Sequence, residues 1–178
     1  GFKSSFYQSL PLYSDDLSFQ NKYDYAKYYS PNENAILSFR FLAESINSIS
    51  GEDVRISKRI YLPSKRLKGF EFGKVGPKDG QDFIGGNYAT ALNFATTLPG
   101  LFKDLESIDF SFFVDAGNVW GVDYSETIDD NSKIRSSSGL AVDWLTPIGP
   151  LSFSFAKPIT KADTDKTETF RFDIGTTF

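Results

Sequence analysis

Apolar and polar residues alternate with period two along most of this chain, the pattern of strands whose two faces meet different surroundings. In the last segment Phe170, Phe172, Ile174 and Phe178 share one face, with Arg171, Asp173 and Thr177 on the other. Leu151, Phe153 and Phe155 alternate with Ser152, Ser154 and Ala156, and Leu140, Val142 and Trp144 with Gly139, Ala141 and Asp143. Ile108, Phe110, Phe112 and Val114 alternate with Asp109, Ser111, Phe113 and Asp115, and Tyr88, Leu92 and Phe94 with Ala89, Ala91, Asn93 and Ala95. Leu37, Phe39 and Phe41 alternate with Ser38 and Arg40, but Leu42 breaks the rule by falling on the polar side. Two weaker segments, 2–10 and 17–29, precede these. The pattern predicts about eight strands of roughly ten residues, the length that crosses a bilayer at a tilt. No stretch has good helical periodicity and no clean boundary divides the chain, so 1–178 reads as a single β region.

A soluble sheet and a membrane barrel can both alternate in this way. Two features favour the barrel. The polar faces are small and mixed (Ser, Ala, Gly, Asn, Asp) and lack the Lys/Glu density of a solvated surface. The apolar faces carry Phe and Tyr, with Trp120, Trp144 and Phe178 near strand ends, where an aromatic girdle would sit. The connections also alternate in length. Segments 30–34 and 146–149 are short, whereas 118–133 and 159–168 are long and polar. The longest, 45–86, is long enough that a function is expected of it. An eight-stranded barrel is only wide enough inside for its own side chains. Such a loop therefore lies outside a small closed barrel, or the chain is part of a larger one.

Composition narrows the chemistry. The 178 residues include no Cys, His or Met, but 18 Phe, 9 Tyr and 2 Trp. Thiolate or imidazole zinc sites and catalytic triads are thereby excluded, and an enzyme is not expected. The net charge of −4 speaks against a general nucleic-acid binder. A chain that starts at Gly1 without Met or an apolar leader reads as a processed or excised piece. Asp123, Glu126, Asp129, Asp130, Asp163 and Asp165 form acidic loops. Their spacing lacks an EF-hand pattern, so they are expected to be solvated, with no metal and no cofactor.

An ordered series of motifs runs through the second two thirds of the chain. Leu67-Lys68-Gly69-Phe70 and Gly73-Lys74-Val75-Gly76-Pro77 lie in the long loop, and Gly85-Gly86-Asn87 opens the next strand. Then come 113–120 (FVDAGNVW), 138–144 (SGLAVDW), 146–151 (TPIGPL), 153–158 (FSFAKP) and the closing 172–178 (FDIGTTF). In this order and spacing they resemble the C-terminal half of the barrel of BamA-like outer-membrane protein assembly factors, the bacterial surface antigen family. The resemblance is close over 54–178, whereas 1–53 fit only as strands.

The resemblance implies an antiparallel transmembrane β-barrel in the bacterial outer membrane, sixteen-stranded in the family, of which these strands would be the last eight. Loop 45–86 would then fold back into the lumen. The family's loop motif carries Arg before Gly-Phe and directs it at acids on the inner wall. Here Lys68 holds that position, keeping the charge but losing the bidentate fork. Asp115, which the alternation independently turns inward, matches one wall position. Asn93 stands at a second, often Glu in the family. Gly69 allows a tight turn, and Phe70 is expected to pack on the wall. An unpaired Asp115 would cost less in a wet lumen than in a dry core. Phe170, Phe172, Ile174 and Phe178 resemble the C-terminal signal strand of barrel proteins, which in the family closes weakly against the first strand as a lateral gate.

The implied function is assembly of client β-barrel proteins, with lipids around the barrel and accessory lipoproteins on the full-length protein. The alternative is a polypeptide-transporter barrel of the two-partner-secretion type. The isolated piece could close on itself or pair with a second copy as a homodimer.

Overall fold

The computed structural model of the chain describes residues 1–11, 17–101, 107–128 and 132–175. Eight strands form one antiparallel sheet: β1 (Phe2–Ser9), β2 (Ser18–Asn32), β3 (Ala35–Ser48), β6 (Tyr88–Pro99), β7 (Ile108–Trp120), β8 (Arg135–Thr146), β9 (Gly149–Thr160) and β10 (Phe170–Ile174). Their order in the sheet is their order in the chain. Between β3 and β6, β4 (Lys78–Asp79) and β5 (Asp82–Phe83) make a separate small hairpin. Each segment read from the alternation lies within or overlaps one of the eight strands, and several strands run further than the apolar pattern does. At ~3.3 Å per residue, a 12-residue strand such as β6 spans about 40 Å, or about 28 Å once tilted by ~45°, the thickness of a hydrocarbon core.

The alternation is resolved into two faces. Phe112, Leu140, Phe155 and Phe170 follow one another across β7 to β10 in register, and Phe110, Val142, Phe153 and Phe172 make the next row. Phe112, Phe155 and Phe170 are each about half exposed on this outer face, as side chains facing lipid would be. The row between them, Ser111, Ala141, Ser154 and Arg171, points to the other face. Trp144 lies at one rim of the sheet and Trp120 at the other, where its ring lies 5.8 Å from that of Tyr88. Short connections (33–34, 147–148) sit at the Trp144 rim and long ones (49–87, 121–134, 161–169) at the Trp120 rim.

The inner face is covered by connection 49–87. Val54, Ile60, Leu62, Leu67, Phe70 and Val75 from this connection form one buried cluster with Leu42, Ile46, Ala89, Ala91 and Val119 of the wall. Leu42, the apolar residue on the polar side of its strand, is thereby explained: it is 1% exposed beneath the loop. Small wall residues make the room, and a Cβ on Gly117 would come within 3.0 Å of Leu62. The sequence placed the start of this loop at Ser45, but β3 continues through Ser48, because Ile46 still has a loop partner to bury against. The loop is not structureless. It contains 3-10 turns at 56–58 and 64–66, the β4–β5 hairpin, and a bridge from Ile60 to Gly86.

Among the described residues the sheet is open, with no pairing between β1 and β10. The described residues thus form an open sheet and not a small closed eight-stranded barrel. The loop fills the concave side, and a closed barrel of eight strands has no room for such a loop.

Candidate functional site

The loop is fastened to the wall by polar contacts beneath its apolar layer. Gly69 has φ +89°, so the backbone turns where a Cβ would be strained and would also sit 3.1 Å from the Cβ of Ala156. That turn drives Phe70 into the core, 2% exposed, and leaves Lys68 against the wall. Lys68 Nζ lies 2.8 Å from Asp115 Oδ2, and the Lys68 backbone N–H donates to the same oxygen at 3.1 Å. Asn93 Nδ2 donates to Asp115 Oδ1 at 2.7 Å and to the Arg66 carbonyl at 2.9 Å. Lys68 Nζ also stands 4.1 Å over the ring of Phe113, and Ser137 Oγ donates to the Lys68 carbonyl. The point charge that lacks an arginine's fork is thus held by one carboxylate and one aromatic face.

Asp115 is fully buried, so the expectation of a wet lumen at this carboxylate is corrected. The loop itself excludes the water, and loss of the partner carries the cost of an uncompensated buried charge.

Arg66, two residues before the motif, was missed by the sequence reading. It pairs with Asp24 of β2 and donates to Asn93 Oδ1 at 3.2 Å. The signal was its position: Arg66 and Lys68 flank one residue in a loop expected to meet an acidic wall. Two further arginines were missed. Arg59 Nη1 donates to Asn87 Oδ1 at 3.1 Å, while Arg59 Nη2 reaches the Val54 carbonyl at 3.1 Å and pairs with Asp123. Arg135 makes a two-pronged pair with Asp165, at 2.9 and 3.0 Å. The phase of Arg135 with Ser137 and Gly139 already aimed it inward.

The motif Gly85-Gly86-Asn87 has a packing reason. A Cβ on Gly86 would lie 2.4 Å from the Trp120 carbonyl oxygen, and one on Gly85 2.8 Å from that of Ile60. Asn87 Nδ2 donates to Asp123 Oδ2 at 3.0 Å, so the motif also orients the Arg59 pair.

Two of the acidic loop residues depart from the solvated reading. Asp165 is buried, engaged by Arg135 and by the Ala162 N–H at 2.7 Å. Asp123 accepts from the Val54 N–H at 3.0 Å, from Asn87 and from Arg59. Partial burial alone would push the Asp123 carboxyl up, but these donors outweigh it and hold it below its ordinary value. Glu126 and Asp163 are exposed, and Asp129 and Asp130 lie outside the described residues.

In the terminal strand Phe170, Phe172 and Ile174 all face outward, with Phe172 5.0 Å from Phe153 and Phe170 5.0 Å from Phe155. Phe178 lies outside the described residues. The motif residues thus fall into separate places. Lys68, Asp115 and Asn93 meet at one point under the loop, Gly85–Asn87 support the Trp120 rim, and β10 lies at the edge.

The Omp85 superfamily domain model matches residues 1–178. The outer membrane protein assembly factor BamA of Neisseria meningitidis serogroup B is 33% identical over 143 residues, 63% of this chain and 17% of that protein. BamA of Neorickettsia risticii is 29% identical over 150 residues, 83% of this chain and 20% of that protein. The chain therefore spans about a fifth of the length of these curated relatives. A crystal structure of BamA from Haemophilus ducreyi lacking POTRA domains 1–3 superposes with a TM-score of 0.84 at 31% identity. The match covers 97% of this chain and 37% of that one.

Proposed function

This chain belongs to the Omp85 superfamily of the outer membrane, and on that premise we propose that it serves the assembly of client β-barrel proteins there. It would do so as the last eight strands of a sixteen-stranded barrel, by strand pairing at a lateral gate and without covalent chemistry. The observation that carries the reading is the inner loop pinned by Lys68 to Asp115 and by Arg66 to Asn93. A loop held in this way stiffens one wall of the barrel and leaves the far edge to move. The edge fits a templating role: among the described residues β10 pairs with β9 through five residue pairs, 170–174 with 151–155, and its outer face alternates Phe170, Phe172 and Ile174. A short ladder opens at low cost, and an open edge is a template for an incoming strand. Accessory lipoproteins would dock on parts of the full-length protein beyond this chain. A plug of buried side chains across the inner face also weighs against the polypeptide-transporter alternative, which needs a clear path through the lumen.

The test is replacement of Lys68 or Asp115 by Ala in the full-length protein, in cells that depend on it. The folded, heat-modifiable porin in the outer membrane should fall while the level of the variant itself stays normal. Unchanged porin biogenesis in both variants would remove this contact from the mechanism.

A further inference from the structure

The connection 161–169, long and polar in the sequence, turns partly inward and pairs with the inner loop. The Glu71 N–H donates to the Lys166 carbonyl at 3.0 Å, and the Glu168 N–H to the Gly69 carbonyl at 3.1 Å. The Lys166 N–H donates to the Lys74 carbonyl at 3.1 Å, and Phe70 bridges Thr167. This is a small antiparallel ladder between the residues that follow Lys68 and those that precede β10. Its far side is fixed to the wall by Asp165, which Arg135 of β8 grips with two hydrogen bonds.

The ladder has a consequence for the edge of the sheet. β9 runs to Thr160, but β10 begins opposite Phe155, and above that level, among the described residues, only the Ala156 N–H reaches across, to Thr169 at 2.9 Å. The chain that could continue β10 upward along β9 is engaged by the inner loop instead. The bare stretch of β9 carries Lys157 and Pro158, a charge and a missing donor, the devices that keep an unpaired edge from recruiting strands.

We propose that Arg135 and Asp165 are positioning residues that hold segment 166–168 on the inner loop, so that the anchorage of the loop at Lys68 and the length of the edge strand β10 are set by one coupled network. The route is continuous: Asp115, Lys68, the 69–74 ladder with 166–168, Asp165 and Arg135. Two ends that bias the same element must influence each other equally. The inference deepens the proposed assembly role by naming what regulates the edge, but its test needs no client protein.

The experiment is hydrogen–deuterium exchange of the intact protein in lipid nanodiscs. Asp165→Asn weakens the grip at β8, and Lys68→Ala releases the loop at β7. Coupling requires Asp165→Asn to speed exchange in 69–74, and Lys68→Ala to speed it in 166–174. Each change should be about fivefold or more, the factor that one net backbone hydrogen bond is worth. Peptides of β6 and β7 should stay at wild-type rates, which separates a local release from general unfolding. If each variant loosens only its own side, the coupling is wrong, whether or not client assembly is impaired. If one variant fails to fold, the other still reports, because each must act on the distant segment.

Discussion

The contact between Lys68 and Asp115 permits a quantitative test through a double-mutant cycle. Asp115 accepts three hydrogen bonds, from Lys68 Nζ at 2.8 Å, the Lys68 N–H at 3.1 Å and Asn93 Nδ2 at 2.7 Å, and it has no solvent exposure. Lys68→Ala leaves the carboxylate charged and buried, with only the two neutral donors. Asp115→Ala leaves an ammonium with only the Phe113 ring, and orphans the Lys68 N–H and one Asn93 donor. Breaking a buried pair from one side costs about 3–5 kcal/mol. Lys68→Ala strands the unexposed carboxylate and should cost ~4 kcal/mol. Asp115→Ala strands an ammonium whose side chain is 20% exposed and can reach water, so even with its two orphaned donors it should fall near ~3 kcal/mol. The double variant removes both charges together and should cost less than the sum by ~1.5–3 kcal/mol. Urea unfolding in lipid vesicles, followed by the fluorescence of Trp120 and Trp144, measures all four corners. A coupling energy below ~0.5 kcal/mol would refute the claim that the lysine is held by this carboxylate rather than resting beside it.

Three further outcomes follow from the geometry. Gly86→Ala should lower stability by at least ~1–3 kcal/mol, because the new Cβ overlaps the Trp120 backbone, which cannot move without breaking the β6–β7 register; an unchanged urea midpoint would show that the rim is softer than described. Phe112→Arg, on the outer face, should cost ~2–4 kcal/mol in bilayers if it lies near the midplane, measured by the same unfolding. Asp123 has its pKa held below the ordinary carboxylate value of 3.8, so its stabilising contribution is complete above that value and is lost as pH falls through the lower folded-state value; Asp123→Asn should flatten this acid limb of the stability profile, and an identical limb would refute the assignment.

The strands were legible because each face meets one uniform medium. Phe110, Phe112 and Val114 face outward together, and period two records that plainly. The loop was legible only in part. Its length and its Lys68-Gly69-Phe70 turn were readable, but its hydrogen bonds to side chains of the wall strands join residues 27 to 69 positions apart, its ladder to 166–168 reaches further still, and no local pattern encodes such pairings. Arg59 and Asp123 illustrate this, since the two carry opposite charges on different connections 64 positions apart. The acidic loops were misread for a related reason. A carboxylate in a polar stretch reads as solvated until an arginine from another strand is known to stand opposite, as Arg135 does for Asp165.

The inner loop also fixes an order of events as the chain folds. β8 and β9 are joined across residues 147–148, whereas β3 and β6 must meet across the whole of 49–87. On chain-entropy grounds the longer closure costs about 2–3 kcal/mol more, from the logarithm of the ratio of loop lengths. Hairpins β2–β3 and β8–β9 are therefore expected to nucleate early, with the β3–β6 seam closing last. That closure is not completed around an empty interior, because Leu42, Ile46, Ala89 and Ala91 on either side of the seam are buried in one cluster with the loop. The loop thus works as an internal template for the wall that encloses it, and the seam becomes the kinetic checkpoint of this sheet.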